Sequence, residues 1–377
     1  MQVGYGDKVR TYNTEIPNIG SILGLVDMQR VINYVETLAA QVDAKDPYAS
    51  PIAQVMDSRT LEDLVRDVTD VPEVFDVFTA ASLSCWGCEL NQISALYALA
   101  DANSAGGVMK LLLVDDGAQE FRVKGGSQQI CQKLVQKIGR HRLLLQHIAT
   151  KIEQKTEDSV RVTFANGLLV NAKRIVISIP PNIIAKNLSF EPKLSIAKER
   201  LYNSMVMSNM TKTYTLFKTS FWLECGFSGE VVSNGGPTFT RGCQKGPVCI
   251  FFDATTKLGT PALVGFIAGQ ASDQWMAKRK EEIKEAVLIQ LESYFGPKVR
   301  SDLCDFYLKD WTDEAHIGGG PVNYLPPGQM HNFHELRAPH GRVHFAGTIT
   351  SVEWNGYMSG AVQAGYRAVA EILQVVI

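Results

Sequence analysis

The residues best placed to do chemistry are small and aromatic ones near the C-terminus. His344-Phe345-Ala346-Gly347-Thr348-Ile349-Thr350 runs into Ser351-Val352-Glu353-Trp354-Asn355-Gly356-Tyr357-Met358, then Ser359-Gly360-Ala361-Val362-Gln363-Ala364-Gly365. An apolar strand, a glycine and a helix start, in that order, let backbone N–H groups face an anion or a ring carbonyl. Glycine and alanine on the helix allow close approach of another backbone or a flat ligand. In Trp311-Thr312-Asp313-Glu314-Ala315-His316-Ile317-Gly318-Gly319-Gly320-Pro321, a tryptophan precedes a glycine run that admits a flat ring system in the same way. Gly125-Gly126-Ser127 ahead of a helix is by residue type a tight turn. Lys212, in the strand-like run Lys212–Phe217, is by type a solvated face residue. Cys85-Trp86-Gly87-Cys88 has the spacing of a redox dithiol. No thioredoxin-like βαβ pattern surrounds it, so two buried thiols are expected. His331, His334, His340 and His344 form no His-Glu-x-x-His pattern and are expected in a surface loop rather than on a metal.

The elements that must position these groups follow from periodicity. The first 120 residues read as helical: Asp27 is expected to cap a helix from Met28 to about Val42, and Thr60 to open another with Asp63 as its capping acid. Further helical pattern covers Val74–Leu83 and Gln92–Asp101. A helix is expected over Gln128–Ile138, with Ile130, Leu134 and Ile138 in register. Strands are expected at Leu143–Ile152, Val160–Ala165, Leu168–Ala172 and a buried Arg174–Ile179 that Pro180-Pro181 ends. Others are expected at Val248–Asp253 and Ala262–Ala268, then a helix Glu281–Phe295 stopped by Gly296-Pro297.

With 377 residues, 45% hydrophobic and 20% charged, the chain is long enough for two domains or one large interwoven body. A formal net charge of −2 gives no reason to expect nucleic acid or an anionic membrane as partner. No apolar run is long enough for a transmembrane helix, and the N-terminus lacks an apolar signal core. The 7 cysteines are scattered, which fits a reducing compartment better than a disulfide framework.

In this order, the four segments around Gly125, Ile175–Pro181, Lys212 and Trp311, closed by the Gly347–Ala361 stretch, resemble the flavin-containing amine oxidases, the monoamine oxidase type above all. The resemblance implies an α/β (mixed α+β) fold of two interwoven domains. Residues 1–120 would be the helical part of a substrate domain and 121–182 part of the FAD-binding domain. Residues 183–335 would be substrate domain with mixed sheet and helix, and 336–377 a C-terminal FAD-binding segment. It implies oxidation of a small-molecule amine, with oxygen as the final acceptor and FAD as cofactor. Lys212 would hold a water near the flavin, and Tyr357 would be one wall of an aromatic cage around the amine. Gln129 would lie on the substrate side, and the backbone of Ile148 would face the adenine. Trp311, Gly319, Gly320, Gly347, Thr348, Trp354, Gly356 and Met358 would line the cofactor.

The departures from the family pattern are informative. Gly320 stands where covalent members carry the flavin-tethering cysteine, so FAD is expected to be non-covalent. Pro321 stands at the second cage wall, which leaves polyamines, amino acids and other amines open. Ile349 replaces an acidic residue that follows Gly-Thr. The family's opening unit of strand, Gly-x-Gly-x-x-Gly turn and helix, which carries the flavin diphosphate, has no counterpart here, because Gly4-Tyr5-Gly6 neither follows a strand nor precedes an apolar helix. The chain is therefore expected to be the major part of such an enzyme, with exposed strand edges and weak FAD binding on its own. A non-catalytic short form built on the same substrate domain, or another flavin oxidoreductase of the fold, stands as the alternative. A homodimer and a cytoplasmic or organelle-associated location are compatible with the resemblance.

Overall fold

The computed structural model describes residues 1–5, 8–156, 158–238 and 240–376. Strand alternation organises its largest sheet, whose seven strands run in the order Leu303–Asp310, Met210–Phe217, Ala262–Ala268, Ile250–Asp253, Val231–Ser233, Gln2–Tyr5, Lys8–Thr11. All neighbours are antiparallel except Gln2–Tyr5 against Val231–Ser233. Gly4-Tyr5 thus lies in a strand paired antiparallel with Lys8–Thr11, and the next described element after it is that strand rather than a helix. Successive side chains alternate between the two faces. Thr211, Thr213, Thr215 and Phe217 are buried, and Phe217 packs with Phe251, Leu263 and Ile267 against Ile283, Val287 and Leu291 of the helix Lys280–Phe295. Burying each such aliphatic side chain contributes roughly 1.5–3 kcal/mol. On the other face Met210, Ile250, Val232, Phe252 and Phe266 meet Leu83 of the helix Pro72–Cys85. That face also carries Lys212.

The helical region differs from expectation at its start. The first helix is Ile22–Ala39, and Ser21 caps it by accepting the Gly24 N–H at 3.2 Å. Asp27 lies inside the helix and accepts instead from Arg30 and from the Thr69 hydroxyl. Thr60 and Asp63 form the expected capping box: the Thr60 hydroxyl accepts the Asp63 N–H at 3.2 Å and the Asp63 carboxylate accepts the Thr60 N–H at 2.8 Å. The helix Ala95–Ser104 is capped by Ser94 and has most of its residues buried.

The middle of the chain is more open than its apolar residues imply. The helix Gln128–Ile138 forms, but none of its residues is buried, and Leu134 is 52% exposed. The strand expected from Leu143 starts only at Ala149, because Leu143–Leu145 find no strand to pair with and remain exposed. Ala149–Thr156 then joins a four-stranded sheet with Ser159–Phe164, Leu169–Ala172 and Ser189–Glu191. Ile175–Ile177 is shorter and less buried than Arg174–Ile179 was expected to be: among the described residues its one strand neighbour is Val343–Phe345, parallel to it, and Val176 is 43% exposed. A strand with one neighbour keeps an open edge, as the sequence led us to expect for this sheet. No described helix is long and apolar enough to cross a membrane.

Candidate active site

The parallel pair positions the C-terminal segment. Ala346 N–H donates to Ile177 O at 2.7 Å, and Gly347 follows with φ of +92°. There the left-handed backbone turns the chain out of the strand, a conformation glycine adopts without a Cβ penalty. A short 3₁₀ turn Thr348–Thr350 leads to the loop bearing Trp354 and Tyr357. The Thr348 hydroxyl donates to the Tyr357 carbonyl at 2.8 Å and closes the loop. The Trp354 N–H donates to Ser104 O at 3.0 Å, so the loop rests on the last turn of Ala95–Ser104. The Trp354 and Tyr357 rings meet edge to face, with centroids 5.4 Å apart. Burial, with Cys85 and Asp101 nearby, pushes the Tyr357 phenol far up, so it stays neutral. Met358 then opens the helix Met358–Val376, whose outer face shows Ala361, Val362, Tyr366 and an unobstructed Gly365.

The glycine run joins this loop to the strand of Lys212. Gly320 N–H donates to Ser208 O at 2.8 Å, just ahead of Met210–Phe217. At Gly319 a side chain would collide with the same carbonyl. A Cβ on Gly320 would lie 3.7 Å from the Trp311 Cβ, and one on Gly356 would lie 2.8 Å from Val322. Pro321 abuts Gly87, in the turn between Cys85 and Cys88. Trp311, Gly319, Gly320, Pro321, Gly356 and Tyr357 are therefore successive parts of one wall. Lys212 approaches from the sheet face, its Nζ 4.8 Å from the centroid of Phe266. It makes no hydrogen bond or ion pair among the described residues, and burial lowers its pKa. Cross-strand from it, Lys309 is neutralised by Glu314 and lies over Trp311.

Two expected site residues fall elsewhere. Gln129 is half-buried, and its amide donates to Lys124 O at 2.7 Å, so it ties down its own Gly-Gly turn. Ile148 lies exposed at the start of the four-stranded sheet, its carbonyl taken by the Ala165 N–H at 2.8 Å. The four histidines also separate: His344 is buried in the strand Val343–Phe345, not in a surface loop, with Nδ1 3.1 Å from Glu371. Cys85 and Cys88 are free thiols, and burial pushes Cys85 up to about 12 and Cys88 higher still.

A cavity of about 1190 Å³ opens beside the Lys212 face of the sheet, lined in part by Val77, Phe78, Val232, Ile250 and Phe252. Phe252 touches Phe266, with centroids 5.8 Å apart, so one aromatic pair separates the cavity from the Lys212 ammonium. Sequence reasoning did not assign this stripe to the site. Its signal is the alternation in three paired strands, where register sets Lys212 opposite Phe266 and Phe266 opposite Ile250.

The sequence pattern of the family described as flavin containing amine oxidoreductase matches residues 34–373. The chain belongs to this family. It is 32% identical over 366 residues to the "Probable flavin-containing monoamine oxidase A" of Dictyostelium discoideum, covering 96% of this chain and 77% of that one. The cyclohexylamine oxidase of Brevibacterium oxydans IH-35A superposes with a TM-score of 0.89 at 30% identity, covering all of this chain and 80% of that one. A putrescine oxidase, at 24% identity and a TM-score of 0.88, shares the fold. The family's cofactor is FAD, and the residues present fit its ring end. Gly365 has open space where a side chain would lie, and the exposed helix face around it carries the apolar and aromatic side chains of Val362 and Tyr366. No strand, glycine-rich turn and helix unit for the diphosphate occurs among the described residues.

Proposed function

We propose that this amine oxidase family member oxidises a primary amine at the carbon beside nitrogen. Water then converts the imine to aldehyde and ammonia, and oxygen leaves as hydrogen peroxide. The bound flavin supplies the two-electron acceptance and its return to oxygen. The protein's part is to bind and orient. Gly347, Thr348, Trp354, Gly356 and Met358 would seat the ring end. Lys212 would hold a water through an ammonium that no carboxylate competes for, and its charge would favour electron delivery to oxygen. The electron-rich face of Tyr357 would lie beside the amine. Pro321 would leave the opposite wall non-aromatic, so selection falls to the large cavity and its Phe252–Phe266 stripe. What supports the reading most is the Lys212 ammonium, half-buried over Phe266 and without a hydrogen bond or ion pair among the described residues, one aromatic pair away from that cavity.

A peroxide-coupled assay of the flavin-loaded protein on a monoamine, a diamine and an amino acid tests it. The carbonyl product (an aldehyde, or a 2-oxo acid from the amino acid) and peroxide should form in equal amounts from at least one. Turnover of a non-amine substrate without peroxide would instead place the chain with other flavin oxidoreductases of the fold.

A further inference from the structure

The helix Ala95–Ser104 carries one carboxylate, Asp101, in an otherwise apolar and small-residue sequence. The proposed reaction does not use it. Its Oδ2 accepts the Trp86 indole N–H at 2.7 Å, which ties it to the turn beside Pro321. The residue as a whole is half-buried, but Oδ1 is sealed from solvent and has no partner among the described residues. A second sealed oxygen without a partner is Oδ1 of Asn355, in the loop between Trp354 and Tyr357. The Asn355 amide is not free to turn round, because its nitrogen donates to Ile349 O at 3.3 Å. Asp101 and Asn355 both line one small cavity of about 10 Å³, together with Ser104 and Ser351. Two buried acceptors without a donor are costly, and a space of that size takes about one water.

We propose that Asp101 is a positioning residue of the reaction: through one enclosed water shared with Asn355, it ties the Cys85–Cys88 turn to the loop that carries Tyr357. A water has two hydrogens to give, one to each orphaned oxygen. The bridge then adds to the backbone contact of Trp354 with Ser104, and both fix the loop from the same helix turn. The wall at Pro321 and the wall at Tyr357 are thereby held at a set separation. The inference rests on the amine oxidase reading of that site. Burial raises the Asp101 carboxyl to about 7, and Trp86 opposes the rise. The titratable groups around it are Cys85 from the turn, Tyr97 from its own helix and Tyr357 from the loop. All three are pushed up and stay neutral, so Asp101 alone of these changes charge near neutrality.

The test compares flavin-loaded wild type with D101N and D101A. D101N keeps an acceptor for Trp86 and still meets the water. It should retain the wild-type melting temperature and lose the inflection near pH 7 in kcat/KM, while titration of Lys212 persists in both. D101A removes the bridge and should lower kcat about tenfold with KM changed less. If D101A does not fold, N355A, which removes the other end, is measured in its place. The Trp86 indole N–H resonance, assigned with W86F, should shift near pH 7 in wild type and not in D101N. This readout needs no turnover. A resonance that does not titrate overturns the proposal even if every amine is refused. A wild-type pH profile in D101N, or a wild-type kcat in the folded bridge variant, overturns it as well. Refusal of every amine with the titration intact overturns the amine oxidase reading instead.

Discussion

Replacing Gly319 by alanine should damage the site wall from within. Gly319 has φ of +150°, and an added Cβ would collide with the Ser208 carbonyl oxygen and lie 2.6 Å from Met207 Cγ. That carbonyl is the acceptor for the Gly320 N–H, so relief of the clash breaks the bond that fixes the glycine run to the Lys212 strand. Overpacking costs about 1–3 kcal/mol, the unfavourable φ about 1–2, and the lost hydrogen bond about 1, for a total of about 3–6 kcal/mol. Gly328 is the control, because its φ of +79° is also left-handed but nothing lies within 4 Å of its Cβ position. G328A should cost only about 1 kcal/mol. An unfolding entropy of about 2.1 cal/mol/K per residue gives roughly 0.8 kcal/mol/K for this chain. G319A should therefore melt about 4–8 °C below wild type and G328A about 1 °C below it. Differential scanning calorimetry at a fixed scan rate measures both. Equal losses in the two variants would refute the argument, since they share the backbone strain and differ in the clash.

Three further outcomes are expected. K212M should slow reoxidation of reduced flavin by oxygen about 100-fold in stopped-flow absorbance. Its melting temperature should not fall, because the replaced charge is half-buried without a carboxylate partner; a fast K212M would remove the lysine from the oxidative step. In the native protein a thiol reagent should modify exposed Cys131, Cys225 and Cys304 quickly and buried Cys88 and Cys249 only after denaturation. Burial raises the pKa of Cys88 and of Cys249, so little reactive thiolate exists at either; rapid loss of Cys88 would contradict its burial. With no glycine-rich unit for the diphosphate among the described residues, FAD should bind weakly and need excess flavin for loading, which equilibrium dialysis reads directly; full occupancy after purification would refute this.

Local rules made much of this molecule legible. The Thr60–Asp63 box, the strand Ala262–Ala268 and the helix stopped by Gly296 depend on a few neighbouring residues, and each lies where its pattern puts it. Ser21 displaced Asp27 as a cap because a hydroxyl earlier in the chain reached the first free N–H. The strand expected at Leu143–Ile152 failed in its first half because apolar residues form a strand only where a partner strand exists, and that depends on the tertiary fold. The motifs that carry Trp311, Gly320 and Tyr357 were readable in the sequence. Phe266 beneath Lys212 was not, since it needs the register of strands fifty residues apart. Gln129 keeps its amide within its own glycine turn, on Lys124 O, a contact that its sequence neighbours alone supply.

The pairing of Ile175–Ile177 with Val343–Phe345 joins residues 168 positions apart (343 − 175). Contacts of such sequence separation pay a loop-closure cost and tend to form after local helices and hairpins. Gly347 and the Tyr357 loop hang from this pairing, so the ring seat takes shape only when the two ends of that long loop have met. Helix content measured early in refolding would say nothing about it. Flavin capture would, and added FAD should stabilise the native state by mass action on that last closure. Bound flavin would then count the molecules whose C-terminal segment has docked, whatever the rest of the chain has already achieved.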